Sequence, residues 1–196
     1  MITRGFTSRR SKSLRPLPPG QYYEEGFPVL SVGPTPKITL DQWEFTLEDR
    51  QGQVARWSWT EFMSLPQDDI ETDIHCVDKW SKLDTRWKGV SIDTLLSEAG
   101  ELHVEDYVMV FSYGGYSTNL ALSDITEGKA WVAWEFGGKP LEPEHGGPAR
   151  LLVPQRYFYK SAKWLKGLRF MGNDQPGFWE QAGYHMRGDP KSEERY

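Results

Sequence analysis

Glu71–Trp80 reads ETDIHCVDKW. From Asp69 to Cys76 the chain alternates with period two. Ile70, Thr72, Ile74 and Cys76 share one face, and Asp69, Glu71, Asp73 and His75 share the other, which predicts a half-buried strand. The strand ends on Cys76, the single cysteine among 196 residues. A lone cysteine excludes an internal disulfide and is compatible with a reducing compartment. Three roles stand open for it: a small buried hydrophobe, a nucleophile or a metal ligand. As a nucleophile it needs a base, and neighbouring His75 points to the opposite strand face. As a zinc ligand it needs partners at ligand spacing, and the sequence has no second Cys and no paired His.

Outward from this strand, Asp41–Trp59 (DQWEFTLEDRQGQVARWSW) alternates on both sides of Gly52 and predicts a β-hairpin. Thr60 is placed to cap one short helical turn that stops at Pro66. Ser91 is placed to cap a helix through Leu95 and Leu96, with Gly100 at its C-terminal stop. DYVMVFS (106–112), AWVAWEF (130–136) and ARLLVP (149–154) read as strands, and the glycine pairs at 114–115, 137–138 and 146–147 as turns. Nineteen glycines and thirteen prolines, scattered along the chain, fit many short elements and more β than α. The expectation is an α+β fold of mixed β-sheets with short helices. One domain occupies residues 37–196, and residues 1–36, with LRPLPPG and VGPTPK, form an extended arm that wraps it.

Composition narrows the function classes. The chain is 38% hydrophobic, 26% charged and carries a net charge of −5, so it is not drawn as a whole to nucleic acid or anionic lipid. Nine Trp, nine Tyr and nine Phe supply aromatic surface for a core or for a pocket that holds a flat ligand. No apolar run approaches the roughly 18 residues of a membrane span. Arg9 and Arg10 imitate a twin-arginine signal, but Lys12, Arg15 and three prolines follow in place of an apolar region. The expectation is a cytoplasmic protein.

Residues 150–169 (RLLVPQRYFYKSAKWLKGLR) hold Arg150, Arg156, Lys160, Lys163, Lys166 and Arg169 and no acid. Just before them, HGGPAR offers His145 and two glycines that let backbone N–H groups approach an anion. Lys160, Ser161 and Lys163 add two ammonium groups and a hydroxyl, an inventory suited to a phosphate. The alternative is a solvated basic face paired with acids elsewhere. Neither GxxxxGK[ST] nor GxGxxG occurs.

Taken in order, HCVDKW, WKGV, GGYSTNL, HGGPARLLVPQRYFYKSAKWLKGLRFM and the closing GFWEQAGYH…EERY resemble the molybdenum-cofactor domain of the sulfite oxidase family. The likeness is closest to its bacterial branch, which includes the periplasmic methionine-sulfoxide reductase catalytic subunit. It spans roughly Pro28 to Tyr196 and implies the family's molybdopterin-binding fold and a molybdenum–molybdopterin cofactor. Cys76 falls where the family's thiolate ligates molybdenum beside the two dithiolene sulfurs. His145 and Arg150 fall where the pterin and its phosphate are contacted, and Lys160, Ser161, Ala162 and Lys163 where that grip is completed. A further family contact falls on Ser112, Tyr113 or Ser117, and GFPVL is the candidate N-terminal contribution. On the substrate side the implied residues are Trp80, Arg86, Lys79 and Trp87. For Arg86, a surface pair with Asp84 is the competing reading.

The resemblance implies two-electron oxygen-atom transfer on an S-oxide, an N-oxide or a small oxyanion, with Cys76 holding the metal rather than attacking substrate. Animal and plant sulfite oxidases have an arginine-rich sequence after the ligand cysteine, where this chain has Val77, Asp78, Lys79 and Trp80. That difference argues against sulfite itself. There is no haem domain, so the implied electron partner is a separate haem protein, flavoprotein or quinone-linked carrier. The competing readings are a cofactor-free family member that binds an anion or partner, and a cysteine-dependent hydrolase or transferase.

Overall fold

The computed structural model describes residues 15–196. The stretch that carries Arg9, Arg10 and Lys12, and with it the first part of the expected arm, lies outside the described residues. The strands are β1 (Tyr22–Tyr23), β2 (Glu44–Glu48), β3 (Val54–Ser58), β4 (Asp68–His75), β5 (Trp80–Ser91), β6 (Tyr107–Ser112), β7 (Ser117–Ala121), β8 (Trp131–Phe136), β9 (Lys139–Pro140), β10 (Arg150–Leu152) and β11 (Leu165–Met171). The helices are α1 (Trp59–Ser64), α2 (Ile92–Glu98) and α3 (Phe178–Gln181), and three single 3-10 turns complete the set.

Two sheets organise the fold. The five-stranded sheet runs β3-β2-β11-β6-β7, all antiparallel except β2 with β11. In the six-stranded sheet the long β5 pairs with β4 along one edge. Along the other it meets β1 at Trp80–Ser81 and β8 at Trp87–Ser91. β10 and β9 extend that sheet through β8. The strand β11 was not foreseen, because the positive charges at 163–169 mask its alternation. Its inward residues Leu165, Leu168 and Phe170 are nevertheless buried.

Local chemistry explains the element ends. α1 begins at Ser58, not Thr60: the Ser58 hydroxyl accepts from the Glu61 N–H while the Glu61 carboxylate accepts from the Ser58 N–H, a reciprocal capping box. α2 starts on Ser91 as expected, its hydroxyl accepting from Thr94 N–H at 3.1 Å. The larger core joins both sheets to the helices through Trp43, Phe45, Phe62, Ile92, Leu95 and Phe170. A smaller one gathers Ile70, Ile74, Cys76, Trp80, Trp87, Leu152 and Tyr157. The arm does not merely wrap the domain: Tyr22–Tyr23 is a parallel strand of the sheet, and Phe27 packs into the smaller core. No helix among the described residues is long and apolar enough to cross a membrane.

Candidate active site

Cys76 stands at the hinge of the β4–β5 hairpin. Its N–H donates to Trp80 O at 2.8 Å and its carbonyl accepts from Lys79 N–H at 3.0 Å, with Lys79 in the left-handed region at φ 77°. The pairing of β4 with β5 slips between Thr72 and Ile74. Ile70, Ile74 and Cys76 still share one buried cluster. His75 turns away, its Nδ1 2.8 Å from Ser81 Oγ.

The Cys76 loop forms the floor of a cavity of about 370 Å³. Val77, Asp78 and Trp80 continue that floor, and Phe27, Pro28 and Leu30–Val32 of the N-terminal segment close one side. Phe158–Tyr159, Ser161–Trp164, Tyr116, Trp179 and Tyr184 complete the lining. His145 and Arg150 line it too, the imidazole stacked on Phe27 with ring centroids 4.0 Å apart.

Two cations in this cavity lack a carboxylate among the described residues. Arg150 is 2% exposed; its Nη1 donates to His145 O at 2.8 Å and its Nη2 to Ser161 O at 2.6 Å, and its guanidinium lies 4.0 Å over Phe158. Lys163 donates to Ser31 Oγ at 2.6 Å and Glu144 O at 2.7 Å. Burial alone lowers Arg150 to about 9, and burial together with the Arg150 charge lowers Lys163 to about 8. His145 is lowered by burial, then by the same two cations. Gly146 makes the approach possible. At φ 108° it is left-handed, and a Cβ there would sit 3.0 Å from Lys163 Cβ and 3.1 Å from Arg150 Cβ. Neither cation has a carboxylate in ion-pair reach among the described residues, although Glu144 acts on Lys163 from further away. Such a pair beside a glycine-opened backbone is chemically suited to an anion.

The thiol is not an activated nucleophile. Burial pushes Cys76 up to about 12, while Asp78 acts both ways, its backbone hydrogen bond lowering the thiol and its carboxylate, 3.8 Å from Sγ, raising it. No histidine among the described residues hydrogen-bonds it; His185 Nδ1 accepts instead from the N–H groups of Arg187 and Gly188. A sulfur in this setting becomes a thiolate when a metal replaces its proton.

Several expected positions lie elsewhere. Lys160 is fully buried but points away from the cavity, into Glu180 Oε1 at 2.6 Å and Asn119 Oδ1 at 2.8 Å. Arg86, its side chain 77% exposed, pairs with Glu71 across the hairpin at 3.4 Å, not with Asp84, which takes Arg15 instead. Neither cation is among the residues lining the cavity; Glu180 holds Lys160 and Glu71 holds Arg86. In the Ser112–Ser117 turn the cavity residue is Tyr116, whose hydroxyl donates to Tyr159 O at 2.6 Å. Tyr113 instead bonds the Glu44 backbone, Ser117 stays on β7, and buried Ser112 Oγ has no partner that the structure explains. Trp80, Ser161, Ala162 and Lys163 all line the cavity. Trp164, Trp179 and Tyr184 were missed: aromatic residues without periodicity carry no sign of which will be wall and which core.

Residues 32–179 match the family model described as the oxidoreductase molybdopterin binding domain. An uncharacterized oxidoreductase of Bacillus subtilis, YuiH, is 37% identical over 190 residues, covering 96% of each chain. A putative protein-methionine-sulfoxide reductase subunit of Azospira oryzae, YedZ1, is 30% identical over 133 residues, 67% of this chain and 50% of that protein. The sulfane dehydrogenase SoxCD of Paracoccus pantotrophus superposes with a TM-score of 0.62 at 15% identity, over 71% of this chain and 40% of that one. The likeness to SoxCD is one of fold. Apart from YuiH, the chain spans half or less of these relatives.

Proposed function

The chain belongs to the molybdopterin-binding oxidoreductase family, whose cofactor is molybdenum–molybdopterin, and from that premise we propose that Cys76 is the protein's ligand to the metal and that the enzyme removes oxygen from an uncharged S-oxide or N-oxide. The observation that carries this reading is the joint presence, in one cavity, of a buried lone thiol and a carboxylate-free cation pair. The residues fit the group. The aromatic walls accept a flat ring system, and Arg150 and Lys163, assisted by His145 and the Ser161–Lys163 backbone, hold the phosphate whose charge they lack.

When bound, the molybdenum centre supplies the two-electron oxygen-atom transfer. The protein's own residues position and select. The charges that act on Cys76 are Asp78 and Arg195, whereas Arg150 and Glu144 act on Lys163, and Arg150, Lys163, Glu144 and Glu142 act on His145. The cavity that holds Cys76 also presents the Asp78 carboxylate and the rings of Trp80, Trp179 and Tyr184 to a substrate. The Asp78 carboxylate disfavours an anion beside it, and the aromatic rings suit a neutral oxide. Releasing the oxygen as water consumes two electrons and two protons, R–SO–R′ + 2e⁻ + 2H⁺ → R–S–R′ + H₂O. A separate haem, flavin or quinone-linked carrier supplies the electrons.

The test is molybdenum and pterin analysis of wild type and Cys76→Ser, purified from a host that makes the cofactor. Near-stoichiometric metal in wild type and its loss from a folded Cys76→Ser is the expected result. Metal-free wild type from a host that loads a control enzyme would sink the reading and leave an anion-binding module. With loaded enzyme and a reduced dye, dialkyl sulfoxides and tertiary amine N-oxides turn over and nitrate does not.

A further inference from the structure

Arg195, the penultimate residue, does not line the cavity, yet its side chain is 8% exposed. Its Nη1 donates to Val77 O, and its Nη2 donates to Gln21 Oε1 at 2.9 Å and to Pro19 O at 3.3 Å. Gln21 extends the contact, its Nε2 3.1 Å from Cys76 O, Trp80 O and Ser81 Oγ. The Arg195 carbonyl accepts from His185 N–H at 3.2 Å, next to the wall residue Tyr184. One guanidinium and one amide thus tie together the Cys76 loop, the N-terminal segment and the C-terminal wall.

The charge of Arg195 is as notable as its bonds. Its guanidinium lies 4.9 Å over the ring of buried Tyr157. Its acid is Glu193, reached only through Nε at 3.3 Å and 47% exposed, so solvent weakens that pair. The Nη edge faces carbonyl oxygens on the low-dielectric side, where a fixed charge acts furthest.

We propose that Arg195 is a positioning residue for Cys76 and the fixed positive charge behind its sulfur, raising the reduction potential of the metal that Cys76 holds. The proposal rests on the reading of Cys76 as the molybdenum ligand. Reduction adds negative charge at the centre, and a nearby cation favours the state that carries more of it.

Four proteins test this: wild type, Arg195→Met, Arg195→Lys and Glu193→Gln, each loaded in a cofactor-making host. Each is measured by EPR-monitored redox titration, metal content and thermal midpoint. Arg195→Met shifts the potential to more negative values. Arg195→Lys keeps the charge and stays near wild type, although both variants lose the forked hydrogen bonds and melt earlier. Glu193→Gln removes the neutralising acid without touching the Val77 and Gln21 contacts, and shifts the potential upward. An unmoved potential in loaded Arg195→Met, or an equal shift in Arg195→Lys, overturns the proposal. Should both Arg195 variants retain no metal, Glu193→Gln decides: an upward shift carries the proposal and none overturns it. Metal-free wild type defeats the ligand reading itself and the proposal with it, an outcome distinct from loaded enzyme whose potential does not move.

Discussion

Lys160 and Arg150 stand ten residues apart in one acid-free basic run, and both end up buried, at 0% and 2% exposure. Their surroundings are opposite. Lys160 meets Glu180 at 2.6 Å, a carboxylate that also accepts from Thr118 Oγ1, in a closed network with Asn119 and the carbonyl of Met186. Arg150 meets three carbonyls, those of His145, Leu151 and Ser161, and an aromatic face, with no acid in ion-pair reach among the described residues. Three of the other four cations divide the same way, and the exposed Lys166 instead lies 5.9 Å over the Tyr113 ring. Arg156 pairs with Asp124 and Arg169 with Glu48, while Lys163 joins Arg150 at the cavity. A basic run therefore has two destinies. Where the fold supplies an acid, the cation becomes structure; where it withholds one, the cation is available to a ligand.

The largest effect expected from this contrast is on stability. Lys160→Met leaves Glu180 buried without its partner and costs about 3–5 kcal/mol, read by denaturant unfolding. Replacing both partners, Lys160→Met with Glu180→Leu, recovers much of that loss; failure to recover would show that Lys160 does more than answer Glu180.

Arg150→Met costs less in folding but removes charge-assisted bonds to an anion, worth about 1.5–3 kcal/mol. Sulfate affinity of the cofactor-free protein, measured by calorimetry, falls roughly ten- to a hundredfold on this substitution. An unchanged affinity would break the distinction between the two cations.

Lys163 gives the comparison a pH dependence. Its lowered value means it is charged below about 8 and neutral above it. Sulfate keeps its charge throughout, so its affinity is greatest below that value and declines as pH rises through it. Lys163→Met flattens the decline, and a decline that survives the substitution would assign it to another group.

The smallest effect belongs to Arg86. Its pair with Glu71 is exposed on both sides, so Arg86→Ala changes stability by less than about 0.5 kcal/mol and leaves turnover untouched. A large loss of turnover would return Arg86 to the site.

The place of Cys76 on the buried side of its strand was legible because the period-two pattern ended on the single thiol, and Ile70, Ile74 and Cys76 share one cluster despite the slip in pairing. The cation cluster was legible as a set but not as members. Nothing in KSAKW distinguishes Lys160 from Lys163, since the acid that claims Lys160 lies twenty residues on, in α3. The turn at 112–117 failed for a related reason. Its residues point to both sides of the hairpin, and whether Tyr113 or Tyr116 faces the cavity depends on how that hairpin packs.

The sequence by itself determined the lone sulfur, the α+β character, the family motifs and a glycine pair at 146–147 that marks a turn or close backbone approach. Only the tertiary structure decided which cations have no acid in ion-pair reach, which aromatic rings line the cavity, and that Arg195 reaches the Val77 carbonyl of the Cys76 loop. The physical reason is range. Alternation, capping and backbone sterics act between near neighbours in the chain. Charge compensation and cavity shape are set by groups such as Arg195 and Val77, 118 residues apart, that meet only in the fold.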